Sequence, residues 1–234
     1  MKERFLKHEF YYALAGIAVC GAVRGALGAF FGPESLRTFL GTLLFSLALG
    51  GFVLRAGLGG RYGLTRFPAP SRRFLFYLPL LAMVSVSLWT GPASAPDPLR
   101  RAAAACSLFL AAFQEELLFR GMLFRALRKE APKRAVLLSS LAFGAAHLAN
   151  LFSGAGFPDV LLQAVCAAAA GAAFALLFSR CGSLLPCVLA HGLMNAFSVL
   201  ARDPSGPPYA QAAALILAAG GYALYLSRLP ESME

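Results

Sequence analysis

Segments of about 20 mostly apolar residues recur along the whole chain, and they constrain its fold more than any other feature. A helix needs about 20 such residues to cross the hydrocarbon core of a bilayer. Of the 234 residues, 59% are hydrophobic and only 14% are charged. The alternating pattern of barrel strands is not seen. The chain is therefore predicted to be an all-α, polytopic transmembrane helical bundle.

Eight apolar segments are predicted to cross the membrane, within a single integral-membrane domain that covers residues 1–234. Gly, Pro and charged residues typical of turns separate them. The segments are residues 10–31, 36–56, 74–91, 102–124, 135–152, 159–179, 183–200 and 209–227.

The distribution of Lys and Arg predicts the orientation of this bundle. If the N-terminus is cytoplasmic and eight spans alternate, most basic residues fall in cytoplasmic loops. The opposite loops then hold Arg37, Arg100, Arg101 and Arg202. Because cytoplasmic loops of membrane proteins are enriched in Lys and Arg, both termini are predicted to be cytoplasmic. The same bias explains the net charge of +10, so no nucleic-acid binding is expected.

The first apolar segment carries small residues and one charge. Its glycines occur as Gly21-x-x-x-Gly25 and Gly28-x-x-x-Gly32. Such spacing is typical of closely packed membrane helices, so we expect a neighbouring helix against these glycines. Arg24 interrupts the apolar run between them.

Three polar motifs lie inside later apolar segments. They are Glu115-Glu116-x-x-x-Arg120, Phe143-x-x-x-His147 and His191-x-x-x-Asn195. Residues four apart share one face of a helix, and ionisable groups inside a bilayer usually mark function. At 1.5 Å per residue, all three motifs lie between the midplane and the cytoplasmic surface. They predict one water-activating site in a motif-bearing core of about residues 100–200.

The residue types suit hydrolysis of a carbonyl compound. A carboxylate and a neutral imidazole beside one water molecule can share its deprotonation. Arg120 lies one turn from Glu116 and is predicted to pair with it, which leaves Glu115 as the candidate base. Phe143 is expected to pack beside His147. A second His with an Asn one turn away can stabilise an oxyanion.

Each motif also has a purely structural interpretation. Either His can be an interhelical hydrogen bonder, the Glu116–Arg120 pair can be a structural ion pair, and Asn195 can stabilise helix packing. Several costly polar groups at a matched depth favour the functional interpretation.

Taken together and in order, the motifs resemble those of the CPBP intramembrane proteases. These comprise type II CAAX prenyl endopeptidases and bacteriocin-processing or immunity proteins. The resemblance covers about residues 100–200 and includes Gly182-Ser-Leu-Leu-Pro186 before the last motif. It implies that Glu115 and His147 activate water. It also implies that His191 and Asn195 form the oxyanion hole and that the remaining motif residues support the site.

The family has been viewed both as metal-dependent and as glutamate-dependent. Glu115, His147 and His191 are candidate ligands for zinc with an open coordination position. No H-E-x-x-H motif is present, and the two histidines come from different helices. A glutamate mechanism that requires no cofactor is therefore favoured, with zinc as the alternative.

The composition bears on the substrate and the location. Arg outnumbers Lys, and Ala and Gly are abundant, which favours a bacterial protein of the inner (plasma) membrane. Its expected partners are the lipid bilayer and a membrane-anchored peptide or protein, cleaved near its leader or C-terminal tail. A proton-coupled transporter and a non-proteolytic immunity scaffold are the alternative functions. The sequence indicates no oligomeric state.

Overall fold

The computed structural model describes residues 2–68, 74–92, 97–201 and 209–229, and its described elements are all helical. The one extended pairing in this part is an isolated bridge between Pro92 and Ala201. Arg202, one of the four basic residues in the predicted non-cytoplasmic loops, lies outside the described residues. The α-helices are α1 (Lys2–Lys7), α2 (Glu9–Phe31), α3 (Leu36–Arg55), α4 (Phe74–Ser85), α5 (Pro98–Glu116), α6 (Arg125–Glu130), α7 (Ala135–Ala146), α8 (Phe157–Cys181), α9 (Leu185–Leu200) and α10 (Tyr209–Ser227).

Helices lie at all eight predicted segments, so the all-helical prediction is confirmed. Six of the described helical stretches are long and apolar enough to cross a membrane: Glu9–Phe31, Leu36–Arg55, Pro98–Glu130, Ala135–Ser153, Phe157–Cys181 and Tyr209–Ser227. Two further apolar helices, Phe76–Leu88 and Leu185–Leu200, are shorter. The count of eight spans and the orientation of the bundle therefore stay predictions.

Local sequence signals define several helix ends. The Asp97 side chain accepts a hydrogen bond from the Arg100 amide at 3.1 Å, and Pro98 occupies the first turn of α5. Proline is favoured there because its missing N–H would have no helical partner. Gly182 ends α8 in the left-handed conformation at φ 68°, which glycine adopts without steric cost.

The longest helical stretch contains a π-helical segment, Leu117–Phe124, that joins α5 to α6. All eight of its residues are buried. It packs against α2, α7 and α8, while α5 packs against α3 and α9. A π-helix widens the helical turn and often occurs at functional sites. Here it begins directly after Glu116, so it sets how the first motif faces its neighbours.

The basic residues Arg61 and Lys129 surround Glu9 at one end of the bundle, which we call the basic end. The buried carboxylate of Glu9 accepts hydrogen bonds there from Arg61 at 2.7 and 3.1 Å, from Tyr62 at 2.7 Å and from Lys129 at 2.8 Å. Burial and the bond to Glu9 raise the pKa of Tyr62 above its usual range. These contacts join the start of α2 to the 57–66 turn and the end of α6.

The 57–66 turn packs into the bundle, although its composition predicts an ordinary loop. Leu58 and Tyr62 are both fully buried. The Gly63 carbonyl accepts a hydrogen bond from the Leu184 amide at 3.0 Å. Gly63 has φ +71°, and a Cβ there would lie 2.6 Å from the Phe178 ring. Only glycine fits this close approach without rearrangement.

The close packing predicted for the α2 glycines is wrong. Apart from the neighbouring backbone of α2 itself, no described atom lies within 4 Å of a Cβ built at Gly21, Gly25 or Gly28. The reason is that α2 contacts the bundle through an adjacent face, which includes the buried residues Ala13 and Cys20. Arg24 lies one turn beyond Cys20 on that buried face.

Candidate active site

Glu116 and Arg120 form a buried ion pair at the junction of α5 and the π-helical segment. Arg120 Nη1 donates to Glu116 Oε1 at 2.9 Å, and the two side chains are 1% and 0% exposed. The predicted pairing across one helical turn is therefore confirmed as a contact. Because a lone buried charge is very costly, each group requires the other.

Aromatic rings surround the guanidinium of Arg120. Its Cζ lies 4.1 Å from the centre of the Phe143 ring and 5.6 Å from that of Phe174. Gly171 of α8 makes this arrangement possible, since a Cβ there would lie 3.3 Å from both Arg120 Nη2 and Phe143 Cδ1. A cation over an aromatic face is stabilised most where water is excluded.

Phe143 also contacts both site histidines. Its ring meets the His147 ring edge-on at 5.0 Å and the His191 ring at 5.6 Å, so its predicted packing beside His147 is confirmed. His147 begins a 3-10 helix, His147–Ser153, directly after α7. Its Nδ1 lies 2.9 Å from the Phe143 carbonyl oxygen. A carbonyl only accepts, so Nδ1 donates, which leaves Nε2 of the neutral ring as the acceptor.

His191 lies between the two carboxylates. Its Nδ1 lies 2.8 Å from Glu116 Oε1, and its Nε2 lies 3.7 Å from Glu115 Oε2. Because Glu116 Oε1 already accepts from Arg120, we assign the proton of this contact to Nδ1 of His191. Nε2 then faces Glu115 across a gap too long for a direct hydrogen bond. The ring of Phe174 stacks on His191 at 5.8 Å.

Glu115 is the more accessible of the two carboxylates. Its side chain is 15% exposed, against 0% for Glu116. One oxygen, Oε1, forms a salt bridge with Arg24 Nη1 of α2, and the other, Oε2, faces His191. The site thus has one fully buried carboxylate and one that is partly exposed at the surface of the bundle.

The described hydrogen bond of Asn195 is not with either carboxylate. Its Nδ2 donates to the Leu108 carbonyl oxygen of α5 at 3.4 Å. Leu108 lies about two helical turns before Glu115. His191 and Asn195, which share one face of α9, therefore contact α5 at well-separated points.

A catalytic zinc site requires three well-placed protein ligands and an open position. Among the described residues, no group of three His, Cys, Asp or Glu side chains could hold a metal ion. Moreover, the Arg24 guanidinium lies on Glu115 and competes with any second cation. Glu115, His147 and His191 in this geometry do not fit a zinc site.

Two residues that adjoin the first motif were not assigned by the sequence. Arg24 pairs with Glu115. Gln114 is fully buried and donates to Ser46 Oγ at 2.8 Å, while accepting from Cys20 Sγ at 3.0 Å. The available signal was the charge of Arg24 inside an apolar segment, because such a charge needs a partner within the bundle. Gln114 is an uncharged polar residue inside an apolar segment, which is a weaker indication of a buried partner.

Comparison with known proteins bears on the segment that carries all three motifs. Residues 98–197 match the family model described as type II CAAX prenyl endopeptidase Rce1-like. No curated protein and no solved structure matches the chain. Together with the six long apolar helices, the match indicates a multi-pass membrane protein. Residues 98–197 thus resemble the Rce1-like type II CAAX prenyl endopeptidases, and the match supports a CAAX-type protease domain in this segment.

Proposed function

We propose that this chain is an intramembrane endopeptidase that hydrolyses membrane-associated peptides with a water molecule activated by Glu115. The observation that carries the proposal is the contrast between the two adjacent carboxylates. Glu116 is fully buried and holds Arg120 and His191. Glu115 is partly exposed and directs Oε2 toward His191 Nε2. The buried Glu116 is suited to holding its neighbours in place, and the partly exposed Glu115 is suited to contact with water and substrate.

The proposed chemistry begins with water beside Glu115. Glu115 accepts a proton as the water oxygen attacks the scissile carbonyl carbon. His147 shares this task through Nε2, because its Nδ1 is held by the Phe143 carbonyl. When the C–N bond breaks, the proton held by Glu115 passes to the leaving nitrogen. Water is consumed, and a carboxyl and an amino group are formed.

The tetrahedral oxyanion requires donors near the same carbon. His191 is the proposed first donor, through Nε2–H of its protonated ring, while Nδ1–H stays on Glu116. Asn195 is the proposed second donor, with the Nδ2 group that now reaches Leu108 at 3.4 Å. That bond is long and weak, so its loss to a substrate oxygen costs little. Preorganised donors of this kind are worth about 10²–10³-fold in rate each.

The proposed substrates are peptides or proteins anchored in the membrane and cut near a leader or a C-terminal tail. Arg24 and Glu115 lie in helical stretches long enough to cross a membrane, and His191 lies on the shorter apolar helix α9. A substrate held in lipid therefore approaches them at depth. The composition supports a bacterial inner membrane as the location, with both termini in the cytoplasm.

A cleavage assay in reconstituted vesicles tests this proposal. Wild-type protein is offered a prenylated C-terminal peptide, the same peptide with an acyl anchor and the same peptide with no anchor. Products are identified by mass spectrometry. We expect cleavage of at least one anchored peptide, little cleavage of the free one, and loss of cleavage in His147→Ala.

The same vesicles test the main alternative function, proton-coupled transport. An internal pH-sensitive dye reports proton movement during the assay. Proton flux without any peptide product would contradict the peptidase and favour a transporter. Full activity in folded His147→Ala would remove His147 from the mechanism.

A further inference from the structure

Arg24 makes an ion pair with the proposed base from outside the family-matched segment. It lies on α2, whereas the match begins at residue 98. Its Nη1 forms a salt bridge with Glu115 Oε1. The Arg24 side chain is 34% exposed, and that of Glu115 is 15% exposed. The pair therefore lies at the accessible edge of the site rather than in the packed interior.

A second contact one turn away supports the position of this pair. Cys20 Sγ donates to Gln114 Oε1 at 3.0 Å. Cys20 and Arg24 are thus one turn apart on α2, and they hold Gln114 and Glu115, which are neighbours on α5. Gln114 in turn donates to Ser46 Oγ on α3. These two successive polar contacts fix the position of α2 along the axis of α5.

The salt bridge leaves the two oxygens of Glu115 in different environments. Oε1 is held by the guanidinium, and Oε2 faces His191 Nε2 at 3.7 Å. Without Arg24, the carboxylate gains rotational freedom and can turn away from His191. The full charges also balance in pairs, since Arg24 opposes Glu115 and Arg120 opposes Glu116. Loss of Arg24 alone removes the guanidinium partner of Glu115 within the membrane-spanning part.

We propose that Arg24 is a positioning residue for Glu115, so that α2 completes an active site otherwise carried by the matched segment. This inference rests on the proposed function, because it assigns Arg24 to the orientation of the proposed base. Arg24 acts through Glu115, and the reacting atoms are contacted by Glu115. The expected consequence is a change in turnover rather than in substrate affinity.

The test compares kcat and KM of full-length variants on the anchored peptide that the wild type cleaves. Arg24→Gln and Arg24→Met both remove the charge, and Met retains an apolar shape suited to a membrane helix. Supporting groups of this kind are typically worth about 10–100-fold in activity. We expect both variants to lose about that much kcat while KM stays within about threefold. Arg24→Lys, which keeps the charge, is expected to recover most of the lost kcat.

Two control variants separate this role from general damage. Gly25→Ala adds a methyl group beside Arg24 at a position with open space around it. Arg55→Gln removes an exposed arginine from the end of α3. Both are expected to keep the wild-type kcat. Thermal unfolding in detergent is recorded for every variant, so that a loss of fold is seen directly.

The outcomes distinguish the two proposals. Wild-type kcat in folded Arg24→Gln or Arg24→Met, with Glu115→Gln inactive, would overturn the role of Arg24 and leave the proposed function standing. A raised KM with unchanged kcat would also overturn it, since that result assigns Arg24 to substrate binding. Full activity in Glu115→Gln would instead overturn the proposed function itself.

Discussion

The Nδ1 atom of His191 lies 2.8 Å from Oε1 of Glu116, an oxygen that also accepts a hydrogen bond from Arg120. One buried oxygen thus joins the last motif to the first. The contact fixes which ring nitrogen of His191 faces Glu115. Stability of the bundle and orientation of the proposed oxyanion donor therefore depend on the same carboxylate.

Glu116→Gln is expected to be among the most destabilising single changes at the site. It leaves the Arg120 guanidinium buried without its anionic partner, and it weakens the bond that orients His191. Breaking a buried ion pair typically costs about 3–5 kcal/mol. Equilibrium unfolding in mixed micelles measures the loss.

The double variant Glu116→Gln with Arg120→Met is the matched comparison. With both charges gone, part of the lost stability is expected to return, while peptide cleavage stays impaired because His191 has lost its acceptor. Equal stability of the wild type and Glu116→Gln would show that the pair is not an essential buried contact.

Gly171→Ala is expected to disturb Arg120 from the side of α8. The added Cβ lies 3.3 Å from Arg120 Nη2, from Phe143 Cδ1 and from Ser140 Cα. Ser140 Cα is backbone and cannot move freely, so the cation and the ring must shift. Overpacking of this kind costs about 1–3 kcal/mol.

Gly28→Ala provides the control for this change, because no described atom outside the neighbouring backbone of α2 lies within 4 Å of its added Cβ. Its free energy of unfolding is expected to stay within about 1 kcal/mol of the wild type, the range of helix propensity. Chemical denaturation of both variants measures their free energies of unfolding. Similar losses in the two would mean that Gly171 is not a packing requirement for Arg120.

Glu9→Gln is expected to destabilise the basic end without a comparable loss of catalysis. The change removes the anionic acceptor of Arg61 and Lys129 and weakens that of Tyr62. Loss of charged hydrogen bonds at a buried carboxylate costs about 1–3 kcal/mol. Thermal unfolding and kcat are measured on the same preparation. Glu130→Gln, an exposed carboxylate at the same end, serves as the control and is expected to match the wild type in both.

Activity is expected to survive removal of free metal ions. Arg24 lies on Glu115, and no set of three suitable ligands is formed among the described residues. The purified protein is assayed before and after dialysis against a strong chelator, with metal content measured in parallel. Zinc bound at one equivalent and lost together with activity would establish the metal-dependent alternative.

The motif residues were predictable because each motif is local in the chain. Spacing of four predicted the Glu116–Arg120 contact and the packing of Phe143 on His147, and both are confirmed. The all-helical fold followed from apolar segments long enough to cross a bilayer. Information of this kind needs no knowledge of which helices are neighbours.

Contacts between distant helices could not be predicted in this way. Arg24 was visible as a costly charge, but nothing local paired it with Glu115 across ninety-one positions. The π-helical segment after Glu116 packs against α2, α7 and α8, and local helix propensity does not predict such a segment. For the α2 glycines, the local motif predicted a neighbouring helix, but these glycines face open space.

Cleavage by Glu115→Gln in vesicles tests the central claim most directly. The substitution keeps the size of the side chain and its ability to contact Arg24, but an amide cannot accept the proton of the attacking water. Rates on the anchored peptide are followed by mass spectrometry beside wild type and Glu130→Gln, with folding verified by thermal unfolding. The account predicts a loss of at least about 10³-fold for Glu115→Gln and none for Glu130→Gln. Cleavage by folded Glu115→Gln at the wild-type rate would contradict it.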